Sequence, residues 1–155
     1  MRAVPLGDPG HRARSRSVDL DDYAWNVAEI RSLSRPVLAG IRGDDVEDVL
    51  LVVSELVSNA FDHGLGPRRL RLDVGLHPCV VRCEVDDTGP GLPVLGRSRI
   101  GEFRGRGIVL VDRLAAAWGV AHGDGGKTVW AELRCVPAAA GPSCGAVLER
   151  PMRES

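Results

Sequence analysis

Lysine is nearly absent: of 20 basic residues, only Lys127 is not an arginine. An excess of either charge is missing too, since 21 acidic residues leave a net charge of -1. With no global positive field, binding along a phosphate backbone is a poor expectation, and no direct nucleic-acid partner is expected. No apolar run approaches the roughly 20 residues that span a bilayer, so no membrane partner is expected either. Residues 1–17 lack the apolar core of a secretory signal, and the chain reads as cytoplasmic. Aromatics make up only 4% of the chain. No Cys-x-x-Cys pair occurs among Cys79, Cys83, Cys135 and Cys144. A zinc or disulfide framework calls for closer pairing or more cysteines, so they read as small buried apolar residues. What is present is an apolar fraction of 44% in 155 residues, enough for the core of one domain.

The Arg-, Pro- and Gly-rich residues 1–17 read as a flexible arm. Helical character begins near Ser17-Val18-Asp19-Leu20, and Tyr23, Val27, Ile30 and Leu33 recur at helical spacing. Arg35-Pro36 interrupts or restarts that helix, because the residue before proline avoids helical geometry. Gly40 to Gly43 marks a break. A longer helix is predicted from about Asp45 to His63, with Val49, Val52, Val53, Leu56, Val57 and Ala60 on its buried side. Strands follow at Arg69–Leu76 and Cys79–Val85, joined by His77-Pro78. Asp86 to Arg106 reads as a long loop, then a helix from about Gly107 to Trp118. Two last strands, near Trp118–Ala121 and Thr128–Cys135, flank Gly123-Asp124-Gly125-Gly126. Residues 137–155 read as a flexible tail. This order predicts an α+β fold over residues 18–136: a two-layer α/β sandwich with helices on one face of a mixed, mostly antiparallel sheet.

Three segments carry candidate chemistry. Glu55, Asn59 and His63 are spaced four apart and form one polar row along the long helix. The row borders the buried face, where a carboxylate and a neutral amide offer a proton acceptor and a hard-cation ligand. Asp87-Thr88-Gly89-Pro90-Gly91 sets a carboxylate at a strand end ahead of glycines, and a carboxylate accepts hydrogen bonds from an exocyclic amine. Gly105-Arg106-Gly107-Ile108 leads into a helix N-terminus, whose free N–H groups favour phosphate. Each alone also has a plain account, as a solvated helix face, an acidic turn and a loop-to-helix joint. Ala121 to Thr128 meets a permissive phosphate-loop pattern, but the alternating Thr128 to Leu133 is a strand, not the helix a phosphate loop requires.

In this order, the three segments resemble the N box and two glycine boxes of the histidine-kinase-like (GHKL) ATP-binding fold. Glu-Leu-Val-Ser-Asn-Ala-Phe-Asp-His-Gly at 55–64 and Gly-Lys-Thr-Val-Trp-Ala-Glu-Leu at 126–133 are similar to bacterial anti-sigma regulatory factors, small protein serine/threonine kinases that also bind sigma factors. The resemblance covers about residues 18–135. It implies ATP and Mg²⁺ as cofactors, with Glu55 as general base or hydroxyl orienter and Asn59 holding Mg²⁺ between the phosphates. His63 closes the row beside the nucleotide. Asp87 is implied to bind the adenine amino group with support from Thr128, and Gly89 and Gly91 to shape the pocket floor. Gly105, Arg106, Gly107 and Ile108 are implied to donate to the phosphates, beneath a lid formed by residues 92–104. The implied partners are a sigma factor and a STAS-type anti-sigma antagonist, the latter phosphorylated on serine or threonine. A homodimer contact through Tyr23, Val27 and Ile30 stands beside the reading that these residues fill the core.

One departure divides two functional readings. The family's anti-sigma kinases usually carry an arginine two places before the first lid glycine, and Phe103 stands there. Arg104 and Arg106 beside it are the candidate replacements. With an arginine on the terminal phosphate the chain is a kinase; without one it is a nucleotide-responsive binding module that lacks turnover.

Overall fold

The computed structural model describes residues 12–22, 26–89 and 109–138. Five strands, β1 (Arg12–Asp19), β2 (Arg69–Leu76), β3 (Cys79–Asp87), β4 (Ala117–Gly123) and β5 (Gly126–Arg134), form one sheet in the order β1-β2-β3-β5-β4. All four neighbouring pairs are antiparallel, so the described sheet is not mixed. Helices α1 (Val27–Ser34) and α2 (Gly43–His63) supply the second layer, and residues 109–114 are helical as well. The architecture is the expected α+β one, with an open five-stranded antiparallel sheet.

Alternation in the strands decides which face the helices cover. Leu70, Leu72 and Val74 of β2, Val81, Cys83 and Val85 of β3, and Val129, Ala131 and Leu133 of β5 are buried on one face. Against them pack Val49, Val52, Val53, Leu56, Val57 and Ala60 of α2, the apolar stripe expected from the sequence. The opposite face carries charge. Arg71 bridges Glu84 at 2.7 Å and Asp86 at 2.9 Å, while Arg82 pairs with Glu84 and with Glu132 at 2.7 Å. The Arg82 guanidinium also stacks 4.5 Å from the Trp130 ring centroid.

Residues 12–17 are not a flexible arm, because they belong to β1. Ser15 lies opposite Asp73 and Val18 opposite Leu70. Among the side chains described in this edge strand, Val18 is the one in the core. Arg-Ser-Arg-Ser therefore shows no apolar alternation, and polar composition is how edge strands avoid unwanted pairing. The first helix likewise starts late, at Val27, where Asn26 Oδ1 accepts the Glu29 N–H at 3.1 Å. Ile30 is core, which removes it from any dimer contact, whereas Val27 is exposed; Tyr23 lies outside the described residues. Trp118 belongs to β4 rather than to the preceding helix, and its Nε1 donates to Asp112 at 2.8 Å.

The cysteine reading needs a second correction: Cys79 and Cys135 form a disulfide. They are 56 positions apart in the sequence, which is why local spacing concealed the pair. They meet because β3 and β5 run antiparallel, with Val80 opposite Arg134. The Cys135 N–H also donates to the Cys79 carbonyl at 3.0 Å. Cys83 is a free, buried cysteine, and burial pushes its thiol well up from the usual range, so it stays protonated and inert. Beyond the disulfide the chain remains attached: Pro137 pairs with Ile41, Val136 N–H donates to Asp45 at 2.8 Å, and Ala138 N–H to the Gly40 carbonyl at 2.8 Å. Residues 137 and 138 are thus ordered parts of the domain rather than tail. Reduction of Cys79–Cys135 is expected to lower unfolding free energy by about 2–4 kcal/mol, through the loop it closes in the unfolded chain. Urea titrations with and without reductant, with Cys79→Ser as a reference, measure it.

Candidate functional site

Helix α2 ends where the sheet delivers its acidic pair. Gly64 follows the last turn, and its N–H donates to the Ala60 carbonyl at 2.9 Å. Arg68 donates to the same carbonyl and to the next free one, with Nε on Ala60 at 3.0 Å and Nη2 on Gly64 at 3.2 Å. Its Nη1 pairs with Asp21 at 2.8 Å, and the guanidinium lies 4.4 Å from the Phe61 ring centroid. On the sheet side, Asp86 and Asp87 are adjacent in β3 and therefore face opposite ways. Asp86 points to the charged face, where it accepts from Arg71 at 2.9 Å and from the Thr128 hydroxyl at 2.5 Å. Asp87 points to the helix layer and is 3% exposed.

Asp87 is held from three directions. Its Oδ1 accepts the Gly89 N–H at 2.8 Å and the Lys127 ammonium at 2.8 Å. The Lys127 Nζ also donates to the Gly89 carbonyl at 3.2 Å. Both side chains of this ion pair are at least 97% buried, with exposures of 3% and 1%. Helix α2 closes over the carboxylate through Gly64: a Cβ there would stand 2.4 Å from Asp87 Cγ and 2.6 Å from Oδ2. Thr88 then staples the segment after β3 to the one after α2. Its N–H donates to the Leu65 carbonyl at 2.9 Å and its hydroxyl to Gly66 at 2.7 Å. Gly89 packs on Gly64 so closely that a Cβ would lie 2.9 Å from the Gly64 Cα.

Glu55, Asn59 and His63 lie on α2, all half-buried, and the row leads to Gly64 and Asp87. His63 Nε2 is buried without a hydrogen-bond partner, an atom equipped to meet a polar ligand. A cleft of about 260 Å³ opens on the other side of the junction, lined by Asp19, Pro67, Arg68, Arg69, Asp86, Asp87 and Thr88. It does not include the Glu55 row. Two sequence expectations shift in detail. Thr128 contacts Asp86 rather than Asp87, because its place in β5 puts it on the charged face. The residue that supports Asp87 is Lys127, directly opposite it in the β3–β5 pairing. The readable signal was parity: Lys127, Val129, Ala131 and Leu133 share a face, as do Asp87, Val85, Cys83 and Val81. Gly91, Arg104, Gly105, Arg106, Gly107 and Ile108, with the lid segment and Phe103, lie outside the described residues.

A family model described as the histidine kinase-like ATPase domain matches residues 21–133. The chain belongs to that family. Among solved structures, the RsbU and RsbW domains of Rv1364c from Mycobacterium tuberculosis are similar, with a TM-score of 0.57 and 22% identity. That match covers 79% of this chain and 33% of the other, so the chain spans about a third of its length, and the likeness is one of fold. The blue-light activated histidine kinase EL346 of Erythrobacter litoralis matches at 25% identity and TM-score 0.48, over 61% of this chain and 31% of that one. The histidine kinase domain of EL346 matches at 23% identity and TM-score 0.48, over 69% and 62%. No curated protein matches the chain.

At this junction the described residues bring together a buried carboxylate, an unpartnered ring nitrogen and two glycines that set backbone against backbone. The fit tolerates no side chain at Gly64, where an added Cβ would also sit 2.7 Å from the Ala60 carbonyl. Gly64→Ala should cost about 1–3 kcal/mol or more by overpacking. Gly123→Ala, with no heavy atom within 4 Å of the added carbon, should stay within about 0.5 kcal/mol of wild type. Paired urea denaturation curves make the comparison.

Proposed function

We propose that the protein binds ATP with Mg²⁺ where α2 meets the end of β3, and phosphorylates a serine or threonine of a STAS-type anti-sigma antagonist, so controlling the availability of a sigma factor. The observation that carries this reading is the placement of Asp87, buried beneath Gly64 at the end of the helix bearing Glu55, Asn59 and His63. The family membership supports ATP binding. The likeness to a structure named for RsbU and RsbW domains agrees with the anti-sigma reading in fold.

Bound ATP would supply the phosphoryl group, with Mg²⁺ offsetting its charge. Asp87 is the acceptor for the adenine amino group, and Gly89 and Gly91 leave room for the base. Asn59 offers a neutral oxygen to the metal, and His63 its free ring nitrogen to the nucleotide. Backbone N–H groups of Gly105, Arg106, Gly107 and Ile108 receive the phosphates, and Arg104 or Arg106 neutralises the terminal one. Glu55, one turn before Asn59, orients the incoming hydroxyl or takes its proton, while adding nothing to the hold on ATP. Phe103 favours a second reading, a nucleotide-responsive binding module that sequesters its partner without turnover.

Glu55→Gln keeps size and hydrogen bonding and removes the charge. It should slow label transfer from γ-labelled ATP to the antagonist by about a hundredfold or more, while ATP affinity stays equal or improves. A fully active variant removes Glu55 from catalysis; a wild type inactive towards its cognate antagonist selects the binding module. Calorimetry supplies the separate check on the pocket. Wild type should bind ATP with Mg²⁺, and Asn59→Ala should lose much of the Mg²⁺ dependence. No nucleotide binding by folded wild type would overturn the assignment.

A further inference from the structure

We infer that the Cys79–Cys135 disulfide is a redox-sensitive lock on the segment that caps α2. A dithiol reductant opens it, residues 136–138 come away as a strap, and the first turn of α2 frays. The helix is the one that carries the Glu55 row, but the inference stands without the nucleotide reading. Strand β5 ends at Arg134 and Cys135 follows at once, so the cross-link sits directly before the strap. The strap has no buried side chain of its own: Val136, Pro137 and Ala138 are all exposed, Val136 at 47%. Hydrogen bonds hold it to α2 and to the turn before that helix. The Val136 carbonyl accepts the Arg42 N–H at 2.8 Å, the Val136 N–H donates to Asp45 Oδ2 at 2.8 Å, and the Ala138 N–H donates to the Gly40 carbonyl at 2.8 Å.

The strap takes the place of a helix cap. Arg42, the N-cap residue of α2, makes no side-chain cap bond, and the Val136 carbonyl satisfies its N–H instead. Asp45, in the first turn, accepts from the strap through Oδ2 and from Arg42 Nη2 through Oδ1 at 3.3 Å. Water competes for hydrogen bonds among exposed groups, so each adds little by itself and the cross-link decides whether the strap stays closed. Opening is a two-electron reduction. A thiolate of the reductant bonds to the sulfur of Cys135, which is half-buried where Cys79 is only 8% exposed. The Cys79 sulfur leaves as a thiolate and takes a proton. The reductant's second thiolate then displaces the Cys135 sulfur, which is protonated in turn. The products are two protein thiols and the reductant as its own disulfide. Cys83, buried and protonated, takes no part in the exchange.

The test is native-state hydrogen exchange of the full chain, oxidised and after treatment with dithiothreitol, with alkylation and peptide mapping to show Cys79 and Cys135 as thiols. The amides of Arg42, Val136 and Ala138 should exchange roughly tenfold faster or more in the reduced protein, and reoxidation should restore their protection. A cross-link that only constrains the unfolded chain speeds exchange through global unfolding alone, a route that low urea accelerates. Local release of the strap is insensitive to low urea, whereas the amides of the central strand β3 report the global route. The double variant Cys79→Ser, Cys135→Ser should show the fast strap exchange with or without reductant, and circular dichroism confirms its fold; reduced wild type carries the same test by itself. A disulfide that dithiothreitol opens only in denatured protein overturns the inference. So do strap amides that keep their protection after reduction, or that follow the β3 amides in their response to urea. The measurement needs no nucleotide, so failure of ATP to bind would overturn the proposed site and leave this lock in place.

Discussion

The Lys127–Asp87 ion pair is the contact on which the junction between helix and sheet depends. Asp87 ends β3, Lys127 begins β5, and α2 stops directly above them at Gly64. Burying two charges is costly, and the attraction compensates only with good geometry and further hydrogen bonds. Here the Gly89 N–H and carbonyl supply those bonds. Removal of one partner alone would strand a buried charge, at a cost of about 3–5 kcal/mol. Glycine lets the backbone close in from two sides: added Cβ atoms at Gly64 and Gly126 would each come within 2.4 Å of Asp87 atoms. The end of α2 therefore has little freedom to slide along the sheet.

Adjacent carboxylates give the two sheet faces different tasks. Asp87 serves the helix layer, with one lysine as its countercharge. Asp86 belongs to a charged ladder on the opposite face, in which Arg71 links it to Glu84, and Arg82 links Glu84 to the buried Glu132. That ladder occupies a face no described helix covers, and it joins neighbouring strands β2, β3 and β5. The guanidiniums suit this position because each can address two carboxylates at once, as a single ammonium rarely does. Lys127 is the one site where a compact cation on a flexible stem fits better, threading between strand and glycine backbone.

Much of this was legible in the sequence because the core strands and α2 carry strong periods. Strand β2 keeps its expected bounds, and α2 begins two residues before its expected start and ends at His63. The polar row of Glu55, Asn59 and His63 was readable from spacing, and Asp87 from its glycine context. Three features were hidden for physical reasons. Strand β1 reads Arg-Ser-Arg-Ser over residues 14–17, so it carries no apolar alternation signal there. Cys79 and Cys135 are neighbours only through the β3–β5 register. Lys127 was visible as a lone lysine, but its partner follows from strand pairing rather than from local sequence. In each case the missing information was long-range contact, which a local pattern does not encode.

That long-range pairing also explains how α2 is held. At its N-terminal end, Arg42 N–H donates to the Val136 carbonyl at 2.8 Å, Val136 N–H returns a bond to Asp45, and Cys135 is tied to Cys79 next door. At its C-terminal end stand Arg68, Thr88 and the Asp87 contact with Gly64. A helix of 21 residues is about 30 Å long, so the two clamps are far apart and share no side chain. Together they fix the helix both along its axis and in rotation about it. Since Glu55, Asn59 and His63 occupy a single stripe, a rotation by one residue, about 100°, would carry the whole row away from the junction. The disulfide end and the ion-pair end thus cooperate in aiming one polar stripe, although only the ion pair touches the site.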